Sequence, residues 1–182
     1  MTVPNLISII RIILTPILII YLINGELLPA LVVFILAGVS DAADGLIARL
    51  FNQKSELGVY LDPLADKILL VATFITLSVI QLIPPWLTVI VISRDILILL
   101  GVLILFLNKT DFNIRPSIFS KVTTCLQLGS IFLVLSKDYL PFFSQLCVPA
   151  FWITGVFTIT SGLHYMRYWF KTIDEGPIGG GI

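Results

Sequence analysis

Apolar residues run almost unbroken through six stretches: Leu6–Ile23, Leu28–Leu50, Leu61–Ile83, Trp86–Leu107, Ile118–Ser136 and Phe142–Phe170. Each is close to or longer than the roughly 20 residues that cross the hydrocarbon of a bilayer. Between them lie short turns, Asn24–Pro29, Gln81–Pro85 and Lys137–Pro141, where Gly or Pro supplies the break. The pattern predicts an all-α integral membrane protein with six transmembrane helices, the last long enough to run past the bilayer. No internal repeat stands out, so residues 1–172 form a single domain and the Gly-rich residues 173–182 a frayed tail.

Charge orients the spans. The three turns carry one cation among them, Lys137, whereas the opposite ends collect Arg11, Arg49, Lys54, Lys109, Arg115, Lys121, Arg167 and Lys171. The cation-rich side of a membrane protein is cytoplasmic. Both termini are therefore expected there, in a multi-pass protein of the cytoplasmic (inner) membrane. The first stretch lacks a charged leader and a small-residue cleavage site, so it reads as a span and not a signal peptide.

Composition agrees. The chain of 182 residues is 58% hydrophobic and 12% charged, with mean hydropathy +1.06, against about a quarter charged in soluble domains. A net charge of zero leaves no basic excess to meet nucleic acid. Cys125 and Cys147 sit in apolar surroundings without metal-type spacing and are expected to be buried structural thiols.

Against this background stand four acids, Asp41, Asp44, Asp62 and Asp66, the first pair three residues apart and the second four. On helices each pair projects from one face. The polar segment Asn52–Ser55 lets the two helices return antiparallel, so the faces can converge at the cytosolic boundary. Converging carboxylates repel one another unless a cation intervenes. Hard divalent ions favour carboxylate and phosphate oxygens, and two of them about 4 Å apart can clamp both sides of a phosphoryl displacement. Gly45 and Gly58 sit beside the acids, where each costs a helix roughly 1 kcal/mol; close approach of a ligand or backbone accounts for them. Ala48 leaves room, and Arg49 can hold phosphate. Packing by small residues with salt bridges to Arg49, Lys67 and Arg94 is the structural alternative.

Written out, Asp41-x2-Asp44-Gly45-x2-Ala48-Arg49-x8-Gly58-x3-Asp62-x3-Asp66 resembles the complete motif of the CDP-alcohol phosphotransferase family. The resemblance implies cleavage of a CDP-linked lipid, with release of CMP and transfer of the phosphoryl group to an alcohol. It implies that Asp41, Asp44, Asp62 and Asp66 bind two divalent cations, Mg²⁺ with Mn²⁺ as the alternative. Asp66 would also be the catalytic base, and Gly45, Ala48, Arg49 and Gly58 would line the CDP pocket. A homodimer is implied as well.

The phosphatidylglycerol and cardiolipin branch is similar in two further places, Pro4–Arg11 and Leu61–Lys67. Phosphatidylglycerophosphate synthases generally continue with Arg-Glu and with Gly-Lys-x-Lys-Thr. This chain has Arg94-Asp95 and Ser120-Lys121-Val122-Thr123-Thr124, followed by Gln127-Leu128, which look more like cardiolipin synthases, as does His164-Tyr165. The donor implied is CDP-diacylglycerol. The acceptor expected is phosphatidylglycerol, with glycerol 3-phosphate close behind, held by Arg94, Arg115 and Lys121. Arg94 and Asp95, on adjacent positions, are expected to face different ways, and Arg11 to snorkel to the interface. His164 is expected at the interface.

Three rival readings differ in what they leave unexplained. A cation channel or carrier accounts for intramembrane acids but not for the glycines, Ala48 and Arg49. A membrane prenyltransferase needs more spans and other aspartate spacing. A structural protein with a decayed site would have lost motif positions, and none is lost.

Overall fold

The computed structural model describes the backbone of residues 3–51, 56–107 and 118–174, and side chains within 9–40, 64–101, 119–140 and 142–167. Among the described residues the chain is wholly helical, without strands. The helices are α1 (Val3–Ile23), α2 (Leu27–Phe51), α3 (Glu56–Val79), α4 (Pro85–Leu107), α5 (Ile118–Ser136) and α6 (Pro141–Asp174). Two described segments, Phe119–Ser136 and Phe142–Arg167, are long and apolar enough to cross a membrane, and Ile9–Ile23 and Leu27–Ser40 are shorter apolar helices.

The chain divides into two compact units. The first holds Met1–Pro85 and Ile131–Cys147, the second Trp86–Ser130 and Val148–Ile182.

In the first unit α1 packs against both α2 and α3. The face that α1 buries is read at Arg11, Thr15, Leu18 and Leu22, which recur every three or four residues. Its opposite face is Ile10, Ile13, Ile17, Ile20 and Ile23, all exposed. A helix in water would turn this stripe inward. Here the isoleucines point outward while an arginine and a threonine point in, a distribution that suits helices solvated by hydrocarbon. Apolar residues fill the remaining interior: Ala30, Val33, Phe34 and Ala37 from α2, and Ala65, Leu69, Phe74 and Leu77 from α3.

Two helix ends in this unit share one capping device. After α1, Glu26 N–H donates to the Tyr21 carbonyl (2.9 Å) and Gly25 N–H to that of Leu22 (3.1 Å), with Gly25 at φ 76°. This is the paired bonding of a Schellman cap, in which the left-handed residue is usually glycine. After α3 the same pattern recurs: Leu82 N–H reaches the Leu77 carbonyl (2.8 Å) and Gln81 N–H that of Ser78 (3.1 Å). Gln81 holds φ 59° without being glycine. The cap stops α3 at Val79, so the span expected to continue to Ile83 is shorter there, although its helix starts earlier, at Glu56.

The second unit is joined by polar groups. On α5, Thr123, Gln127 and Ser130 are buried, and on α6 Thr154, Thr158 and Ser161. They meet in antiparallel order. Ser130 and Thr154 share a hydrogen bond of 2.8 Å, Gln127 Nε2 lies 3.5 Å from Thr158 Oγ1, and Thr123 Oγ1 reaches the Phe157 carbonyl at 3.2 Å. Each such bond between membrane helices contributes about 0.6 kcal/mol. A close approach at Gly155 completes the packing. A methyl group there would lie 2.8 Å from the Trp86 ring, which is tilted against Trp152 with ring centroids 4.9 Å apart.

Two boundary expectations change. Residues 173 and 174 belong to α6 and not to a tail, and the rest of that tail lies outside the described residues. Cys147 is buried as expected, but Cys125 lies on an exposed face of α5; both are free thiols. Position 125 follows the buried Thr123 by two residues, which turns it away from the seam.

The left-handed caps yield a test. Replacing Gln81 by Gly should raise the melting temperature of the purified protein, by about 1 kcal/mol of stability, because a Cβ is unfavourable at positive φ. Gly25→Ala should lower it by a similar amount, read by scanning fluorimetry in detergent.

Candidate phosphatidyl transfer site

Asp41, Asp44, Gly45, Ala48 and Arg49 lie on α2, and Gly58, Asp62 and Asp66 on α3. Both helices belong to the first unit. Helical backbone keeps Asp41 and Asp44 within one turn of each other, and likewise Asp62 and Asp66. Apart from that of Asp66, the side chains of these residues lie outside those described.

Asp66 is the acid whose surroundings are described. Its carboxylate Oδ1 accepts from the Arg11 guanidinium Nη1. The arginine is 1% exposed and the aspartate 47%. Arg11 therefore does not snorkel to the interface. It occupies the position on the buried stripe of α1 that faces α3, and a charge held there requires a countercharge. Thr15 caps the same turn, its hydroxyl donating to the Arg11 carbonyl at 2.9 Å. The arrangement presents a partly solvated carboxylate backed by a buried cation. The cation favours the ionised carboxylate, whose exposed side stays open to solvent and to a bound cation.

In the second unit Arg94 is 5% exposed and Asp95 4%. Nη1 of Arg94 donates to Asp95 Oδ1 (2.7 Å), and Nη2 to Ser120 Oγ (2.6 Å) and Ser161 Oγ (3.2 Å). The two residues thus bond to each other, contrary to the expectation that they face apart. The guanidinium is long enough to fold back across the 100° that separates neighbours on a helix. Arg94 ties α4 to α5 and α6, and a direct grip on an acceptor through its terminal nitrogens would break those ties. Lys121 is exposed on α5. Arg115 lies outside the described residues.

Among the described residues no three His, Cys, Asp or Glu side chains cluster as a metal site. The four-acid set itself is a donor set of hard carboxylate oxygens, which suits Mg²⁺ or Mn²⁺ and not a soft metal.

Comparison with known proteins decides the class. The family profile described as CDP-alcohol phosphatidyltransferase matches residues 1–165. The chain belongs to this family. The matched region contains all eight motif positions, and it contains Arg11, Arg94 and Lys121 as well. A rat protein named cardiolipin synthase (CMP-forming) is 35% identical over 190 residues, covering 95% of this chain and 63% of its own length. The human protein of the same name is also 35% identical, with the same coverage. The chain thus spans somewhat less than two thirds of these relatives. A Bacillus subtilis protein named CDP-diacylglycerol–glycerol-3-phosphate 3-phosphatidyltransferase is 32% identical over 183 residues, covering 89% of this chain and 92% of its own length.

The sequence pattern pointed to the acids, but not to the partner of Asp66 or to the polar seam of α5 and α6. The seam had a signal: Ser120, Thr123, Gln127 and Ser130 recur every three or four residues in an apolar helix. Arg11 had none beyond a cation in an apolar run.

The ion pair can be measured. A double-mutant cycle with Arg11→Met and Asp66→Asn should give a coupling of about 1–2 kcal/mol in unfolding experiments. That lies above an exposed pair and below a fully buried one, because Asp66 meets solvent. Additive effects would show that the two groups do not interact.

Proposed function

We propose that the chain is a membrane phosphatidyltransferase of phosphatidylglycerol and cardiolipin synthesis. It would transfer the phosphatidyl group of CDP-diacylglycerol to a glycerol-type hydroxyl and release CMP. The observation that carries this is the family match over residues 1–165, with the eight-position aspartate motif complete inside it. In this reading the six helices span the inner membrane, with both termini and the aspartates at the cytosolic face.

Asp41, Asp44, Asp62 and Asp66 hold two divalent cations, which when bound supply positive charge to the pyrophosphate and the developing CMP anion. Gly45 and Gly58 let the nucleotide approach the helix backbones, Ala48 leaves space for it, and Arg49 pairs with its phosphate. The acceptor oxygen attacks the phosphorus that carries diacylglycerol. The bond from that phosphorus to the bridging oxygen breaks, and CMP leaves with the electron pair. Asp66 takes the hydroxyl proton. Arg11, behind it, holds the carboxylate in place.

The acceptor side is carried by Lys121 and Arg115, with Arg94 fixing the start of α5 through Ser120. Phosphatidylglycerol is the acceptor we favour, and Thr123 supports it. Where the glycerol 3-phosphate enzymes are expected to place a second lysine, Thr123 is wholly buried, its hydroxyl held between the Phe119 (2.8 Å) and Phe157 (3.2 Å) carbonyls. A position that locks α5 to α6 has no cation to offer a phosphate dianion. The diester of phosphatidylglycerol carries a single charge and needs less.

The test is CMP release by purified protein in lipid with CDP-diacylglycerol and Mg²⁺, offering phosphatidylglycerol, glycerol 3-phosphate, serine or inositol phosphate separately. Phosphatidylglycerol should give the fastest turnover, with cardiolipin as product. Asp66→Asn should lower the rate at least 100-fold, the scale of a lost general base, while CDP-diacylglycerol still binds. Product from serine or inositol phosphate alone would refute the branch, and full activity in Asp66→Asn would refute the base.

A further inference from the structure

Arg11 is a fixed charge beside the proposed cation site. Its helix α1 packs against both α2 and α3, the two helices that carry the acids. Arg11 lies on the buried stripe of α1 with Thr15, Leu18 and Leu22, and its Nη1 donates to Asp66 Oδ1. On α3, Ala65, Leu69 and Leu70 around Asp66 are buried as well. All of these residues belong to the first unit.

A solvated lysine or arginine beside an acid swings aside when a divalent cation arrives. Arg11 is 1% exposed, so leaving Asp66 would carry its charge away from its countercharge into apolar surroundings, which is costly. Asp66 is 47% exposed, so a cation can reach it from solvent while the guanidinium stays behind it. The two cations then share one carboxylate. Arg11 has two opposed effects on such a cation. Holding a short side chain in place favours the ion by a few-fold at most. Repulsion between a divalent and a monovalent charge on the same carboxylate weakens binding by about tenfold, even with water-like screening. Repulsion wins.

We propose that Arg11 makes the divalent cation at Asp66 the weaker of the two, and the later to bind. The proposal rests on the two-cation transferase reading above and adds an order to it. A hard cation short of protein charge takes its remaining ligands from substrate phosphate, as Mg²⁺ commonly does. The second cation therefore depends on the pyrophosphate of the CDP-lipid for its full complement of oxygens. At limiting cation the substrate-free protein holds one ion and the donor complex holds two.

The test is Mn²⁺ binding to the purified full chain in detergent, without substrate, followed by loss of the paramagnetic resonance signal of the free ion. The wild type should bind in two steps, the second about tenfold weaker than the first. Arg11→Met should tighten the second step about tenfold and leave the first within twofold, whereas Arg11→Lys keeps the charge and should keep the wild-type pattern. Removing this cation leaves Asp66 facing solvent and not buried, so the methionine variant is the gentler of the two ways to break the pair. At equal free Mn²⁺ its melting temperature should rise further than that of the wild type, because a tighter ligand stabilises more. Asp66→Asn, which does not depend on the folding of the methionine variant, should lose the second step and keep the first. A second step unchanged or weakened in Arg11→Met, or loss of the first step in Asp66→Asn, would overturn the proposal. Two steps of equal affinity in the wild type would defeat the proposal alone, and no bound Mn²⁺ at all would defeat the two-cation reading with it.

Discussion

A guanidinium removed from water must find its countercharge inside the protein, and among the described residues each unit of this chain contains one such charge. Arg11 meets Asp66 in the first, and Arg94 meets Asp95 in the second. Removing one partner of a buried pair leaves a charge that neither hydrocarbon nor packed side chains can solvate. These pairs therefore restrict which helix faces can turn inward. Arg11 fixes the buried face of α1 and sets it against α3. Arg94 fixes that of α4 and, through Ser120 and Ser161, the register of α5 against α6.

The two pairs differ in what they leave for chemistry. Arg94 and Asp95 are both buried, and the terminal nitrogens of the arginine are bonded within the protein; the pair is a brace. Asp66 is half exposed at the end of a buried cation, so its carboxylate remains accessible. In the proposed site, where several acids meet at a lipid boundary, such backing lets one acid carry its compensation within the fold. The exposed isoleucines, leucines and valines suit a hydrocarbon solvent, while the polar groups turn toward one another.

Much of this was legible in the sequence. The hydrophobic runs placed all six helices, and the ends of α5 agree residue for residue with the apolar stretch that predicts it. The motif placed its eight residues on α2 and α3. The end of α3 was not legible, because Gln81 takes the left-handed conformation that the pattern rules reserve for glycine. Nor was the role of Arg11, whose partner is 55 residues away; a single cation in an apolar run is equally consistent with an interfacial side chain. Arg94 and Asp95 misled for a different reason. Helix geometry separates adjacent Cβ atoms, but it does not stop a long flexible side chain from returning to its neighbour.

In the proposed site the aspartates of α2 and α3 together hold divalent cations. Electron paramagnetic resonance of the purified protein titrated with Mn²⁺ tests it most directly. Two bound ions per chain are expected, magnetically coupled at the roughly 4 Å typical of two-metal sites, with loss of that coupling in Asp41→Asn and Asp62→Asn. Binding by the wild type no stronger than by a variant carrying both substitutions would contradict it.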